Sequence, residues 1–159
     1  MTAMSLASSD PVGESLDPVL DFMRLLWTIE HGLQSTSKRM ENSLGITGPQ
    51  RLVLRVVSQY PGLSAVELAH IVRLHPSTLT GVIQRLVDKK LLLRERDPRD
   101  GRRMRLRARA GAQRFTQNSP GTVESAVQAV LERVPPAHVR HARTVLAAVA
   151  TALADVSGR

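Results

Sequence analysis

Residues 64–109 read SAVELAHIVRLHPSTLTGVIQRLVDKKLLLRERDPRDGRRMRLRAR, and the reading of this stretch decides the fold. Its middle part, from about Pro76 to Lys90, places Leu79, Val82, Ile83 and Leu86 at i, i+3, i+4 and i+7, the spacing of one buried helix face. The opposite face carries Ser77, Thr80, Gly81, Gln84 and Arg85, polar and free of carboxylates until Asp88. A helix of that shape suits a DNA major groove, where such side chains meet base edges. Upstream, Ser64-Ala65-Val66-Glu67 matches a capping box, in which Ser64 and Glu67 each satisfy an orphan backbone donor. The short helix it opens carries Val66, Leu68, Ala69, Ile71 and Val72. Arg73-Leu74-His75 then leads to Pro76 at the first helical position, so the turn between the two helices is short, as a helix-turn-helix needs.

Downstream, Leu91 to Arg96 leaves the second helix as a strand. Asp97-Pro98-Arg99-Asp100-Gly101 is turn chemistry. The return strand alternates: Met104, Leu106 and Ala108 on one side, Arg103, Arg105, Arg107 and Arg109 on the other. Met104 and Leu106 are expected to pack on the helices while the arginines face out. Arg99 and Arg102 sit at the hairpin tip.

Working outward, Pro18 to about Leu44 reads as a long helix, capped by Asp17 and stopped by Gly45. Phe22, Leu26, Ile29, Leu33 and Met40 lie near one stripe, flanked by Met23, Trp27 and Glu30, and Gly32 is a place for a bend. Thr47-Gly48-Pro49-Gln50 starts a second helix with Leu52, Val53, Val56 and Val57 as its apolar face, and Tyr60-Pro61-Gly62 ends it. After the hairpin a helix is expected from Gly111 to about Val134, weakened at Ser119-Pro120-Gly121 and broken by Pro135-Pro136. The last helix runs to about Val156. Its Val139, Ala142, Leu146, Val149, Leu153 and Val156 form a heptad-like seam. The outer helices hold more apolar surface than a 46-residue reader can cover, which predicts pairing with a second subunit. The expected organisation is a disordered arm over 1–17, a dimerisation helix over 18–45, a DNA-binding domain over 46–110 and dimerisation helices over 111–159.

Composition narrows the function. There is no cysteine, which removes disulfides, thiol redox switching, thiolate metal sites and cysteine catalysis. No run of 18 uncharged apolar residues occurs, and no basic segment followed by an apolar run opens the chain, so the expected address is cytoplasmic. Of the formal charge of +8, residues 63–110 account for +7, with twelve Lys and Arg against five Asp and Glu; residues 1–62 carry −1 and residues 111–159 carry +2. A positive field so localised favours a polyanion, because each neutralised phosphate releases condensed counterions. Catalytic signatures are missing: no Gly-rich phosphate loop, no nucleophile elbow and no carboxylate pair set for acid–base work. His138 and His141 stand i, i+3, a spacing that can share a metal, but no Cys or nearby acid joins them. They read as a solvated helix face, and no metal or cofactor is expected.

With these residues in hand, the chain resembles the MarR family of winged helix-turn-helix transcription regulators over roughly residues 18–156. The resemblance rests on Leu63 to Ala69, on His75-Pro76-Ser77-Thr78-Leu79-Thr80, on Leu86-Val87-Asp88-Lys89-Lys90-Leu91-Leu92-Leu93-Arg94, and on the wing-like Arg96-Asp97-Pro98-Arg99-Asp100-Gly101-Arg102. It implies a mainly α fold with a small two- to three-stranded β-wing, dimerised through its N- and C-terminal helices on a pseudo-palindromic operator. It also implies that 76–89 is the recognition helix, that Arg102 is the wing-tip arginine in the minor groove, and that Asp100 steadies the wing through a neighbouring arginine, with Arg96 as a partner. One departure stands out. The family enters its next helix with Leu-Thr-x-x-Gly, whereas Leu106-Arg107-Ala108-Arg109-Ala110-Gly111 offers no Thr to cap it.

The DNA-contact candidates are Ser77, Thr78, Thr80, Gln84 and Arg85 on the helix and Arg99, Arg102 and Arg103 on the wing; Ser77 and Thr78 also suit a helix start. Gln pairs bidentately with adenine and Arg with guanine or phosphate, and narrow A·T-rich minor grooves attract arginine. Any of the three wing residues could be the inserted one. Arg94, Arg96, Arg105, Arg107 and Arg109 read as general attraction, some of them paired with Glu95, Asp97 or Asp100. The resemblance also implies an effector pocket between the dimer helices and the DNA-binding lobe. Met23, Trp27, His31, Arg39 and Arg55 are its candidates, for an aromatic or anionic ligand. The expected function is a homodimeric, sequence-specific, ligand-responsive repressor and not an enzyme. The rivals are a non-specific double-stranded DNA architectural protein and a module whose basic hairpin binds an acidic protein.

Overall fold

The structure, a computed structural model, describes residues 16–158. Helices α1 (Pro18–Leu44), α2 (Gly48–Gln59), α3 (Ala65–Val72) and α4 (Pro76–Asp88) are followed by strands β1 (Leu92–Arg96) and β2 (Met104–Ala108). After a 3-10 turn at Ala110–Ala112 come α5 (Gln113–Thr116), α6 (Val123–Leu131) and α7 (Pro136–Ser157). The arm expected over 1–17 lies, as far as residue 15, outside the described residues.

Most helix ends follow from their capping chemistry. Asp17 accepts from Val19 N at 3.0 Å, and Gly45 closes α1 at φ 78°, the left-handed conformation that glycine adopts without strain. No break occurs at Gly32, and α1 runs through it as one helix. Capping boxes open α2 (Thr47 with Gln50) and α3 (Ser64 with Glu67). At α4 the cap is His75, whose ring accepts from Ser77 N at 3.3 Å; neither Ser77 nor Thr78 is the cap.

Helix α2 lies at the centre, against α1, α3, α4, α5 and β2. Its buried side chains are Gln50, Arg51, Val53, Leu54 and Val57. Around them pack Ile46, Leu68, Leu91, Leu92, Leu106 and Phe115 together with the four α4 residues of the expected face, Leu79, Val82, Ile83 and Leu86. Two apolar expectations are corrected. Leu52 is 44% exposed and Leu54 takes the core position, because the buried stripe of α2 runs through Gln50, Val53, Leu54 and Val57. Met104 is also 44% exposed, at the distal end of β2 opposite Arg96, where the first turn of α3 lines a groove with it and leaves it partly open; Leu106 is buried as expected.

The sheet has two antiparallel strands with Arg94 opposite Leu106. Gly62 N and Leu63 O add bonds to Leu106 O and N at 2.9 and 2.8 Å, so the α2–α3 connection supplies a short third rung. The helix expected over Gly111–Val134 is interrupted. Arg109 stands at its start with no side-chain cap, which leaves a 3-10 turn and the single turn α5, and residues 117–122 then separate α5 from α6. No residue of α6 or α7 is buried.

The connection after α4 carries local strain. Lys90 is left-handed at φ 59° and exposed, and this conformation costs an L-residue about 1 kcal/mol or more that glycine avoids. Lys90→Gly is expected to raise the thermal midpoint by about 2 °C in a domain of this size. A lowered midpoint in thermal unfolding would show that the Lys90 side chain stabilises the fold by more than its backbone strains it.

Candidate nucleic-acid interface

The exposed face of α4 presents Ser77, Thr78, Thr80, Gln84 and Arg85 to solvent, while Leu79, Val82, Ile83 and Leu86 anchor the opposite face. Several of the polar groups already have local partners. Ser77 Oγ lies 2.7 Å from His75 Nδ1, Thr80 Oγ1 donates to Pro76 O at 2.9 Å, and Gln84 Nε2 donates to Asp88 Oδ1 at 2.8 Å. Each keeps unused capacity. A hydroxyl that donates can still accept, and the amide of Gln84 retains one N–H and its carbonyl. The Asp88 contact holds that amide in one orientation.

The wing tip is built by two aspartates. Asp97 accepts from Arg99 N at 2.8 Å and Asp100 from Arg102 N at 3.1 Å. Backbone bonds from Asp97 N to Arg103 O and from Arg103 N to Asp100 O, both 2.9 Å, close the turn. Among the described residues neither Arg99 nor Arg102 enters an ion pair, so both guanidinium groups remain available to a phosphate or a groove. Arg103 lies 3.7 Å from Asp100, both well exposed. This corrects the pairing of Asp100 with Arg96: Arg96 leaves β1 before the turn, whereas Arg103 stands one residue past Arg102. Asp97 carries the stronger brace. Its side chain is 10% exposed and takes Arg105 Nε at 2.7 Å. Arg107 pairs with Glu95 at 3.1 Å. Two of the hairpin arginines are thereby neutralised locally, whereas Arg99 and Arg102 at the tip, like Arg94 and Arg96 on β1, enter no ion pair among the described residues.

The Arg99 backbone N–H, and then the bond and charge of Arg105, hold the Asp97 carboxyl below its usual range despite the opposing effect of burial. A carboxylate with a lowered folded pKa contributes stability above its unfolded pKa, about 3.9, and loses it as pH falls through the lower folded value. Asp97→Asn is therefore expected to lower the thermal midpoint at neutral pH, with the gap to wild type closing below about pH 4. A gap of constant size from neutral to acid pH would show that the charge of Asp97 contributes nothing.

The effector candidates divide among three places. Met23, Trp27 and His31 line a shallow, open groove along α1 with Leu20, Arg24 and Thr28. Arg39 donates to Thr36 on its own helix. Arg55 lines a separate cleft of about 540 Å³ between α1, α2 and α6, walled by Leu33, Leu52, Val56, Val123 and Val127. There Arg55 is bonded to Asn118 Oδ1 and Glu124 Oε1, both at 3.2 Å.

Two groups escaped the sequence reading. Lys89, just past α4, donates to Gly45 O at the end of α1 and lies 3.4 Å from Gln50 Oε1, tying α4 to the α1–α2 corner. Arg51 is buried and bonded to Glu124 and to the Gln117 carbonyl. The one signal for it was its position three residues before Leu54, on the buried stripe of α2.

Comparison with known proteins agrees with this geometry. The MarR family model matches residues 46–104, from the residue after α1's cap to the start of β2. The HTH-type transcriptional repressor Rv2887 of Mycobacterium tuberculosis is 27% identical over 143 residues, covering 90% of this chain and 96% of its own. The PcaV transcriptional regulator of Streptomyces coelicolor, solved with its natural ligand, superposes with a TM-score of 0.66 at 25% identity, covering 96% of this chain and 99% of that one. MepR of S. aureus, solved in complex with DNA, superposes with a TM-score of 0.67 at 18% identity, covering 83% and 97%, and supports the fold alone.

Proposed function

From the premise that this chain belongs to the MarR family of winged helix-turn-helix regulators, we propose that it works as a homodimeric repressor on a pseudo-palindromic operator and is released by a small ligand. The observation that carries the reading is the union of one exposed polar helix face, on α4, with a wing whose tip arginines Arg99 and Arg102 are backbone-ordered and free of acidic partners. In this reading α4 enters the major groove. Ser77, Thr78, Thr80, Gln84 and Arg85 meet bases and phosphates, and Arg99, Arg102 and Arg103 reach the flanking minor groove or backbone.

The dimer follows from exposed apolar surface. Leu20, Trp27 and Ile29 on α1, Val130 and Leu131 on α6, and Leu146, Leu153 and Val156 on α7 are between 43% and 74% exposed. A 22-residue helix with no buried residue is not held by its own protomer. A second copy that covers this seam would set two α4 helices about 34 Å apart, the spacing of successive major grooves on one DNA face.

The ligand site of this reading is the cleft between α1, α2 and α6. Its volume lies in the range of small-molecule sites, with largely apolar walls, and Arg55 would exchange its bonds to Glu124 and Asn118 for an acidic or polar aromatic ligand. A ligand that prefers a lobe spacing unfit for DNA shifts the population away from the operator-competent dimer, and by linkage its affinity falls when operator is bound.

The test is fluorescence-anisotropy titration onto DNA upstream of the protein's own gene, against a scrambled duplex, at two salt concentrations. Tighter binding to the native duplex that persists at the higher salt supports the reading. Equal binding to every duplex sampled, including those from a random pool, that collapses with salt would make the protein a non-specific DNA binder.

A further inference from the structure

Arg51 takes no part in the interface described above, yet it is the most deeply buried charged side chain among the described residues, 1% exposed. Its Nε donates to the Glu124 carboxylate and its Nη2 to the Gln117 carbonyl. These acceptors flank the connection between α5 and α6, Gln117 at its start and Glu124 in the first turn of α6. One guanidinium, planar and with its donors in a rigid fork, therefore grips both ends of the 117–124 segment.

That segment has the composition of a hinge. It contains Ser119-Pro120-Gly121, and Gly121 adopts φ 75°. The structure nevertheless orders it. Thr122 is 1% exposed and donates to Ser119 O at 2.7 Å, and it forms a capping box with Ser125 that starts α6. Arg55, one turn after Arg51, adds its bonds to Asn118 and Glu124. Two arginines thus converge on Glu124. Burial raises that carboxyl's pKa, but the hydrogen bond from Arg51 and the charges of Arg51 and Arg55 outweigh the effect and keep it below its usual range.

Beyond this first turn the protomer has little hold on its C-terminal arm. Thr122 to Ser125 are buried or half-buried, whereas every residue from Ala126 to Arg133 is exposed and α7 has no buried residue. The direction in which α6 and α7 leave the reading lobe is set where α6 meets α2 and α1, and Arg51 is the buried anchor there. We propose that Arg51 is a positioning residue for operator binding: by clamping both ends of the 117–124 elbow to α2, it fixes the angle between the reading lobe and the α6–α7 arm, and with it the half-site spacing that the dimer accepts. This rests on the dimeric reading above. It follows because the arm would join the partner while the lobe carries α4, so a change in elbow angle displaces one recognition helix relative to the other.

The test uses the full chain and the palindrome recovered by selection from random duplexes, with half-sites at native spacing or with one base pair added or removed between them. One base pair rotates the second half-site by roughly 34° and moves it about 3.4 Å. Wild type is expected to lose on the order of 100-fold in affinity on either respaced duplex, since a rigid dimer then engages one half-site at a time. Arg51→Met and Glu124→Gln are each expected to lose less than about tenfold on the same duplexes, because a loosened elbow lets both helices dock. Glu124→Gln keeps the side-chain shape and serves if Arg51→Met does not fold. Discrimination as sharp as wild type in a folded variant, with only a lower thermal midpoint, would overturn the clamp and leave Arg51 a purely structural residue. Wild-type protein that binds all three spacings equally would instead overturn the rigid dimer, and the clamp with it.

Discussion

Replacing Leu146 and Leu153 together with Glu is expected to halve the particle mass in solution and to weaken operator binding by roughly 10²–10⁴-fold, the avidity lost when two linked half-site contacts become independent. Both leucines lie on the α7 seam and are 43% and 57% exposed in the single protomer. Neither touches the core around Leu54, Leu86 and Leu106, so the reading lobe has no reason to unfold. Glu is a good helix former, which keeps the effect on association and away from the helix itself. A carboxylate placed in a covered apolar seam must be desolvated without a partner, and that cost exceeds what the lost leucine contacts alone would supply. Light scattering after size exclusion reads the mass, and anisotropy reads the affinity. An unchanged mass would show that α7 is not the seam, and the exposed face of α1 would become the first alternative.

The reading lobe was legible in the sequence because its signals are local. The α4 face is a 3.6-residue repeat, and the α3 start is a four-residue capping box. The α1 ends are an aspartate before a proline and a glycine after a leucine. Each of these is found where it was expected. Met104 shows what periodicity leaves out. Alternation assigns a side of the strand, but not how fully the helical layer covers each position, and beside Met104 the first turn of α3 leaves a groove partly open. Asp97 and Asp100 show a second limit. They lie three residues apart in the same turn, and which of them is buried against Arg105 depends on strand register, here Glu95 opposite Arg105 and Arg96 opposite Met104. Arg51 shows a third. It joins acceptors 66 and 73 residues away, and a lone arginine on a helix gives no sign of so distant a partner. The break between α5 and α6 was only half visible. Ser119-Pro120-Gly121 marked the weak point, but the missing cap at Arg109 acts with it to divide the expected continuous helix into a 3-10 turn, the single turn α5, an elbow and α6.

The wing supplies the second large effect. Arg99→Ala with Arg102→Ala is expected to cost about 2–4 kcal/mol of operator binding, if each arginine contributes the 1–3 kcal/mol typical of a specific contact and the two are partly coupled. The salt dependence separates the kinds of contact. A guanidinium on a phosphate contributes about 0.9 to the slope of log affinity against log salt. Loss of two phosphate contacts therefore flattens the slope by nearly two and weakens all duplexes alike. If Arg102 instead sits in an A·T-rich minor groove, Arg102→Ala weakens the operator more than a G·C-flanked duplex, because the narrow groove's potential is what attracts it. The control comes from the same hairpin. Glu95 and Arg107 neutralise each other at 3.1 Å, so Glu95→Ala with Arg107→Ala removes two charges without changing the net field. That double variant should leave the slope within error of wild type while the tip variant does not. Equal flattening in both, although only the tip variant lowers the net charge, would mean that Arg107 itself contacts phosphate, and the two backbone-ordered arginines at the tip would lose their special role.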